Sequence, residues 1–89
     1  MNSRTRREFW DRYAKLPPNV RQQARAAFQQ FERDPWYPSL QFKMLNRRAN
    51  LYSARIGLGH RALGTRINDQ VVWFWIGTHA EYDHLTADL

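Results

Sequence analysis

The hydrophobic pattern of this chain changes period near residue 35. Before that point apolar residues recur at helical spacing. Phe9, Tyr13 and Leu16 share one face, with Trp10 beside them, and Val20, Ala24, Ala27, Phe28 and Phe31 follow on a second segment. Thr5 with Glu8 three residues on is a capping-box signature, which predicts a first helix from about Arg6 to Lys15. Leu16-Pro17-Pro18 stops that helix, since proline lacks an N–H and crowds the preceding turn, and Pro18 or Asn19 opens the next. The two helices read as a hairpin.

Beyond the two-proline loop Asp34-Pro35-Trp36-Tyr37-Pro38 the period becomes two. Leu40, Phe42 and Met44 alternate with Gln41 and Lys43, which predicts a half-buried strand. After a basic turn over residues 46–50, Tyr52, Ala54 and Ile56 alternate with Ser53 and Arg55. Gly57-Leu58-Gly59 turns the chain into a third strand, His60 to Ile67, and Asn68-Asp69 turns it again. Val71 to Ile76 is apolar without a break, as a strand buried on both faces should be. Gly77 ends it, and Thr78 with Glu81 predicts a terminal helix from about His79, with Tyr82 and Leu85 on its apolar side.

The predicted fold is therefore α+β: an N-terminal helical hairpin packed on a small, mainly antiparallel four-stranded sheet, with a short C-terminal helix. Residues 1–89 are expected to form a single domain, because 89 residues leave room for one modest core. Hydrophobic content of 43% argues against disorder, and the absence of cysteine removes disulfides and thiolate zinc sites. No run approaches the ~18 apolar residues of a membrane span, and MNSRTRREFW has no signal-peptide core, so no membrane is expected as a partner and a cytoplasmic location fits best.

Charge sharpens the picture. The net charge is +6, and twelve of the fourteen basic residues are arginine, whose planar fork suits phosphate. Residues 1–34 carry eight bases and four acids, and residues 69–89 carry four acids and no Lys or Arg. Residues 35–68 carry Lys43, Arg47, Arg48, Arg55, Arg61 and Arg66 with no acid. A one-signed middle segment fits a polyanion-facing surface, and it fits solvated surface arginines as well.

Alternation places Lys43 and Arg55 opposite Phe42 and Ile56, on whichever sheet face the helices leave open. On the third strand parity does not decide between His60 and Arg61. The small Ala62 and Gly64 suit the helix-covered side, which turns Arg61 outward. His79, at a helix N-terminus where the dipole disfavours imidazolium, is then available as a proton acceptor. Lys43, Arg55, Arg61 and His79 converging on one patch would hold a phosphodiester, balance charge on phosphorus and move a proton. The alternative is a set of surface cations and a histidine that only caps a helix. His60, His79 and His84 show no metal-ligand spacing, and no glycine-rich phosphate loop or nucleophile elbow is present, so neither a metal nor a cofactor is expected.

The order FKML, LYSARIG, HRALG and VVWFWIGTHAEYDHL, preceded by LPPNVRQQARAAFQQF, resembles the RelE/ParE superfamily of toxins from bacterial toxin–antitoxin operons, over roughly residues 16–85. The resemblance implies a RelE-like fold, a cognate antitoxin as partner, and in ribonuclease members metal-independent cutting of mRNA in the ribosomal A site through the ribose 2′-hydroxyl. By position Arg61 resembles the arginine that binds the scissile phosphate, and His79 the late histidine acting as acid or base. Arg55 and Lys43 resemble supporting cations, Tyr82 a late tyrosine of some members, and Arg47 and Arg48 add substrate contacts. The sequence departs from the pattern twice. Where some members carry a glutamate base before the lysine strand it has Ser39 and Leu40, and where many begin with a strand its N-terminus reads as helical. The leading expectation is a ribosome-dependent endoribonuclease toxin. The alternatives are a non-enzymatic toxin that poisons DNA gyrase, or a basic nucleic-acid-binding module.

Overall fold

The computed structural model describes residues 1–89. Its order is β1 (Asn2–Thr5), α1 (Arg7–Tyr13), α2 (Pro18–Arg33), a 3-10 turn (Pro38–Leu40), β2 (Lys43–Asn46), β3 (Leu51–Ile56), β4 (His60–Ile67), β5 (Gln70–Thr78) and α3 (His79–Thr86). The sheet runs β1-β5-β4-β3-β2, with β1 parallel to β5 and every other pair antiparallel. The α+β architecture with a helical hairpin and a terminal helix is thus the expected one, with five strands in place of four.

The extra strand corrects the reading of the N-terminus. Asn2–Thr5 is polar and short, so it has no hydrophobic alternation to announce it. Its place is fixed from the far end of the chain, where Trp73 Nε1 donates to Ser3 Oγ at 2.7 Å and the Arg6 N–H donates to the Trp73 carbonyl. Thr5 spends its hydroxyl as acceptor for Trp10 Nε1 at 2.8 Å, so the expected Thr5–Glu8 capping box does not form, and α1 starts at Arg7 with no side-chain cap. The first helix also stops at Tyr13, short of Lys15. One departure from the RelE/ParE pattern disappears with this correction, because the chain does begin with a strand.

A second correction falls before β2. Leu40 was expected in a strand, yet Pro38–Leu40 is a 3-10 turn, and Gln41 leaves it in the left-handed region (φ 43°, ψ 43°). Regular pairing begins only at Lys43, opposite Ser53.

The hairpin covers one face of the sheet. Phe9, Ala24, Phe31, Leu40, Phe42, Ala54, Ile56, Ala62, Val71, Trp73 and Ile76 form a continuous buried cluster there. Trp73 is fully buried, its ring 5.4 Å from Phe31 and 5.3 Å from Phe28, both edge-on. Gly64 faces this layer because a Cβ there would stand 2.7 Å from Val71 and 2.8 Å from Trp73. The small-residue argument for Ala62 and Gly64 therefore holds.

Trp73 and Trp75 share parity but lie on opposite faces. Pairing steps from Leu63–Trp75 to Gly64–Trp73, leaving Phe74 as an extra residue in β5, and this bulge reverses the alternation. Trp75 accordingly joins Leu63 and Tyr82 in a small cluster under α3, on the face away from the hairpin.

Candidate functional site

The face left by the hairpin carries Lys43 on β2, Ser53 and Arg55 on β3, and Arg61 and Leu63 on β4. Arg61 has the face that the small residues Ala62 and Gly64 predict but not the exposure. It is only 5% exposed, roofed by Tyr82 of α3, with its guanidinium carbon 5.2 Å from the tyrosine ring centroid. Arg61 Nη2 donates to Gln41 Oε1 at 2.6 Å, Nη1 donates to Ser53 Oγ at 3.4 Å, and buried Nε has no partner. All of these partners are neutral. Arg55, half-buried, stands directly opposite Arg61 on the neighbouring strand. Like charges opposed across a sheet repel, and no acid lies between residues 35 and 68 to separate them. A buried cation without a counter-charge is costly unless an anion arrives to meet it.

Tyr82 is buried, and its hydroxyl donates to the same Ser53 Oγ at 3.3 Å. On its other side the Tyr82 ring lies 5.8 Å from the His79 imidazole. Arg61, Tyr82 and His79 are thus consecutive neighbours. His79 is exposed at the start of α3, where its backbone N–H donates to the Gly59 carbonyl at 2.8 Å. Its Nε2 lies 3.4 Å from Asp83 Oδ1, one helical turn on, an ion pair whenever the ring is protonated.

Lys43 is exposed beside Ser53, at the border of the cluster. Arg55 also lines a cleft of about 440 Å³ with Gln23, Gln30, Tyr37 and Leu58, where β3 runs past the end of β2. Arg47 and Arg48 are not brought to Arg61. They are exposed in the turn between β2 and β3, which the Arg66 N–H to Asn50 carbonyl bond fixes at the other end of β4. Five residues of strand separate that end from Arg61, on the order of 15 Å.

The capping box at α3 forms as expected. Glu81 N–H donates to Thr78 Oγ1 at 3.1 Å, and Thr78 N–H donates to Glu81 Oε1 at 2.9 Å. Arg12 reaches across from α1, donating through Nη2 to Glu81 Oε2 at 3.1 Å and through Nε to the Ile76 carbonyl at 2.9 Å. The Thr78 backbone and side-chain hydrogen bonds hold the Glu81 carboxyl below its usual range, helped by Arg12 and opposed by slight burial.

Sequence reasoning missed Gln41, Ser53, Asp83 and Arg12 as members of this region. Asp83 was legible from its spacing of four to His79. Gln41 was not, because its role depends on a backbone turn that breaks the strand alternation.

The chain matches the ParE-like toxin domain family over residues 18–84. Among solved structures it is similar to the toxin–antitoxin complex RelBE2 of Mycobacterium tuberculosis, at 26% identity and TM-score 0.67, over 88% of this chain and 96% of that one. It also resembles a YoeB/ParE toxin of Agrobacterium tumefaciens at 16% identity and TM-score 0.66, over 89% and 99% of the two chains. A copper-bound point-mutant toxin of Helicobacter pylori follows at 13% identity and TM-score 0.61, over 91% and 97%. The last two show the fold alone. No curated protein sequence matches. The chain belongs to the ParE-like toxin domain family and is a RelE/ParE superfamily toxin of a toxin–antitoxin system.

Proposed function

We propose that this toxin is a ribosome-dependent mRNA endoribonuclease, working as a single domain on message in the A site. The observation that carries the reading is Arg61, a buried guanidinium with an unpartnered Nε, neutral neighbours and a second arginine directly opposite. A surface that only docks on a protein target has no need of a buried, uncompensated cation, whereas a phosphodiester supplies the missing charge.

In the reaction the ribose 2′-oxygen forms a bond to phosphorus while the bond from phosphorus to the 5′-oxygen breaks. His79 takes the proton of the 2′-hydroxyl, and Asp83 stabilises the imidazolium that results. Arg61, with Arg55 beside it, balances the charge that builds on the phosphoryl oxygens. The leaving 5′-oxygen takes a proton from water, giving a 2′,3′-cyclic phosphate and a 5′-hydroxyl. Tyr82 holds Arg61 and His79 on the two sides of its ring and keeps water from the guanidinium. Lys43 binds the neighbouring phosphate, and Arg47 and Arg48, being distant, contact flanking RNA.

Inducing the protein in cells and mapping RNA 5′ ends at early times tests this. Codon-phased cuts in translated messages are expected, and His79→Ala should remove them. Intact messages with arrested replication would overturn the ribonuclease reading in favour of gyrase poisoning.

A further inference from the structure

Three residues other than glycine have positive φ, and two of them, Asn50 and Asn68, are of the type that tolerates the left-handed region. The third is Gln41, whose side chain gains nothing from that conformation locally. Glycine would be cheaper at this point, where the chain leaves the 3-10 turn through the Gln41 N–H to Pro38 carbonyl bond. Gln41 does, however, use its side chain elsewhere. Its amide oxygen takes the shortest of the hydrogen bonds to Arg61, at 2.6 Å, against 3.4 Å from Ser53.

We infer that Gln41 is a positioning residue for Arg61, an uncharged arm that fixes the guanidinium and leaves its charge free for a phosphodiester. This inference rests on the ribonuclease reading of the same site. A glutamate in that place would form an ion pair with Arg61 and fill the role of the substrate's anion in advance. A glycine would relieve the backbone and release the guanidinium, whose only remaining direct partner would be the distant Ser53 hydroxyl. The left-handed conformation aims the side chain at the site. It also fits β2 beginning no earlier than Lys43, since Gln41, two residues before, is turned out of strand geometry.

The test compares Gln41→Glu, Gln41→Gly and Arg61→Ala in the full chain. Inorganic phosphate is titrated while the Arg61 Nε–Hε resonance is followed, and cleavage is measured on programmed ribosomes. Gln41→Glu is expected to abolish the phosphate-induced shift and lower kcat by ~100-fold, the loss typical of a disabled charge-stabilising contact, with KM little changed and thermal stability retained. Gln41→Gly is expected to raise Tm yet lower kcat, so that stability and activity move in opposite directions. Wild-type cleavage and an intact phosphate shift in Gln41→Glu would overturn the inference. If Arg61→Ala is inactive in that same experiment, only the role of Gln41 fails. If Arg61→Ala keeps full activity, the ribonuclease reading of the site fails with it.

Discussion

The two faces of the sheet solve opposite problems with residues from the same strands. The hairpin side holds eleven buried apolar residues in one cluster, with Trp73, Phe31 and Phe42 meeting edge-on within about 5 to 6 Å. The other side has a cluster of only three buried apolar residues, Leu63, Trp75 and Tyr82, and next to them a buried arginine with no acid. Adjacent residues divide between the two roles: Ala62 packs under the hairpin while Arg61, one position before, faces the uncompensated side. Stability is thus concentrated on one face, and the charge that costs stability is kept on the face where a substrate could meet it.

The largest expected effect tests the stabilising face. Trp73→Ala removes the ring that Phe28, Phe31 and Phe42 surround and also the Nε1 bond that holds β1 through Ser3. A loss of about 3–5 kcal/mol is expected for such a truncation, read as a lower midpoint in urea unfolding. Trp75, the same residue type two positions on, packs in the minor cluster and is stacked by Arg12 at 4.9 Å. If Trp75→Ala costs as much as Trp73→Ala, the faces are not unequal in the way described.

Next comes the charged face. Arg61→Ala should leave the unfolding midpoint nearly unchanged, because an unpaired buried cation contributes little net stability. Growth inhibition and cleavage should drop by ~100-fold, about 3 kcal/mol of transition-state stabilisation. A folded, fully toxic Arg61→Ala would remove Arg61 from the site.

How much of this division the sequence displayed depends on the range of the interactions. The alternation of Tyr52, Ala54 and Ile56 with Ser53 and Arg55 is local, and it placed β3 on the correct faces. The capping box at Thr78 and Glu81 is local too, and it formed. Strand β1 was hidden because its stabilising contacts come from Trp73, about seventy residues away. The capping signature at Thr5 failed for a local reason, because the strand leaves its hydroxyl as acceptor for Trp10, five residues on. Arg61 was given the right face, but its burial depends on Tyr82 arriving from α3 and on Gln41 turning out of the strand. No single-strand pattern contains either event.

A smaller effect concerns a cognate antitoxin, which we propose as this toxin's partner. Charge reversal at Lys43 and Arg55 should slow its association severalfold, and added salt should slow association of the unaltered toxin more than it speeds dissociation, because steering by a one-signed surface acts mainly on the on-rate. Association indifferent to both changes would place the antitoxin on the hairpin side. That result would separate the face that binds substrate from the face that is silenced.

The smallest effect lies where the two faces are tied together. Arg12 leaves the hairpin, stacks on Trp75 and bonds Glu81, so α1 and the N-terminus of α3 share one exposed contact. The Glu81 carboxyl has its folded pKa lowered, first by the Thr78 hydrogen bonds and then by Arg12. A depressed carboxyl pKa means that the unfolded chain binds the proton more readily. The stabilising contribution is therefore fully present above the ordinary glutamate value and is lost as pH falls through the folded one. Glu81→Gln should consequently be less stable than the parent at neutral pH and should converge with it in acid, flattening the low-pH limb of the stability curve. Thr78→Ala, which removes the other half of the box, should cost about 1 kcal/mol at neutral pH. It should also move the Glu81 carboxyl part of the way back toward its ordinary value, since it removes the Thr78 side-chain hydrogen bond but keeps the Thr78 backbone N–H, the largest cause of the shift. Equal acid sensitivity in the parent and Glu81→Gln would show that Arg12 and Thr78 do not hold the charged carboxylate. Arg12 would then tie the hairpin to β5 through the Ile76 carbonyl, and not to α3.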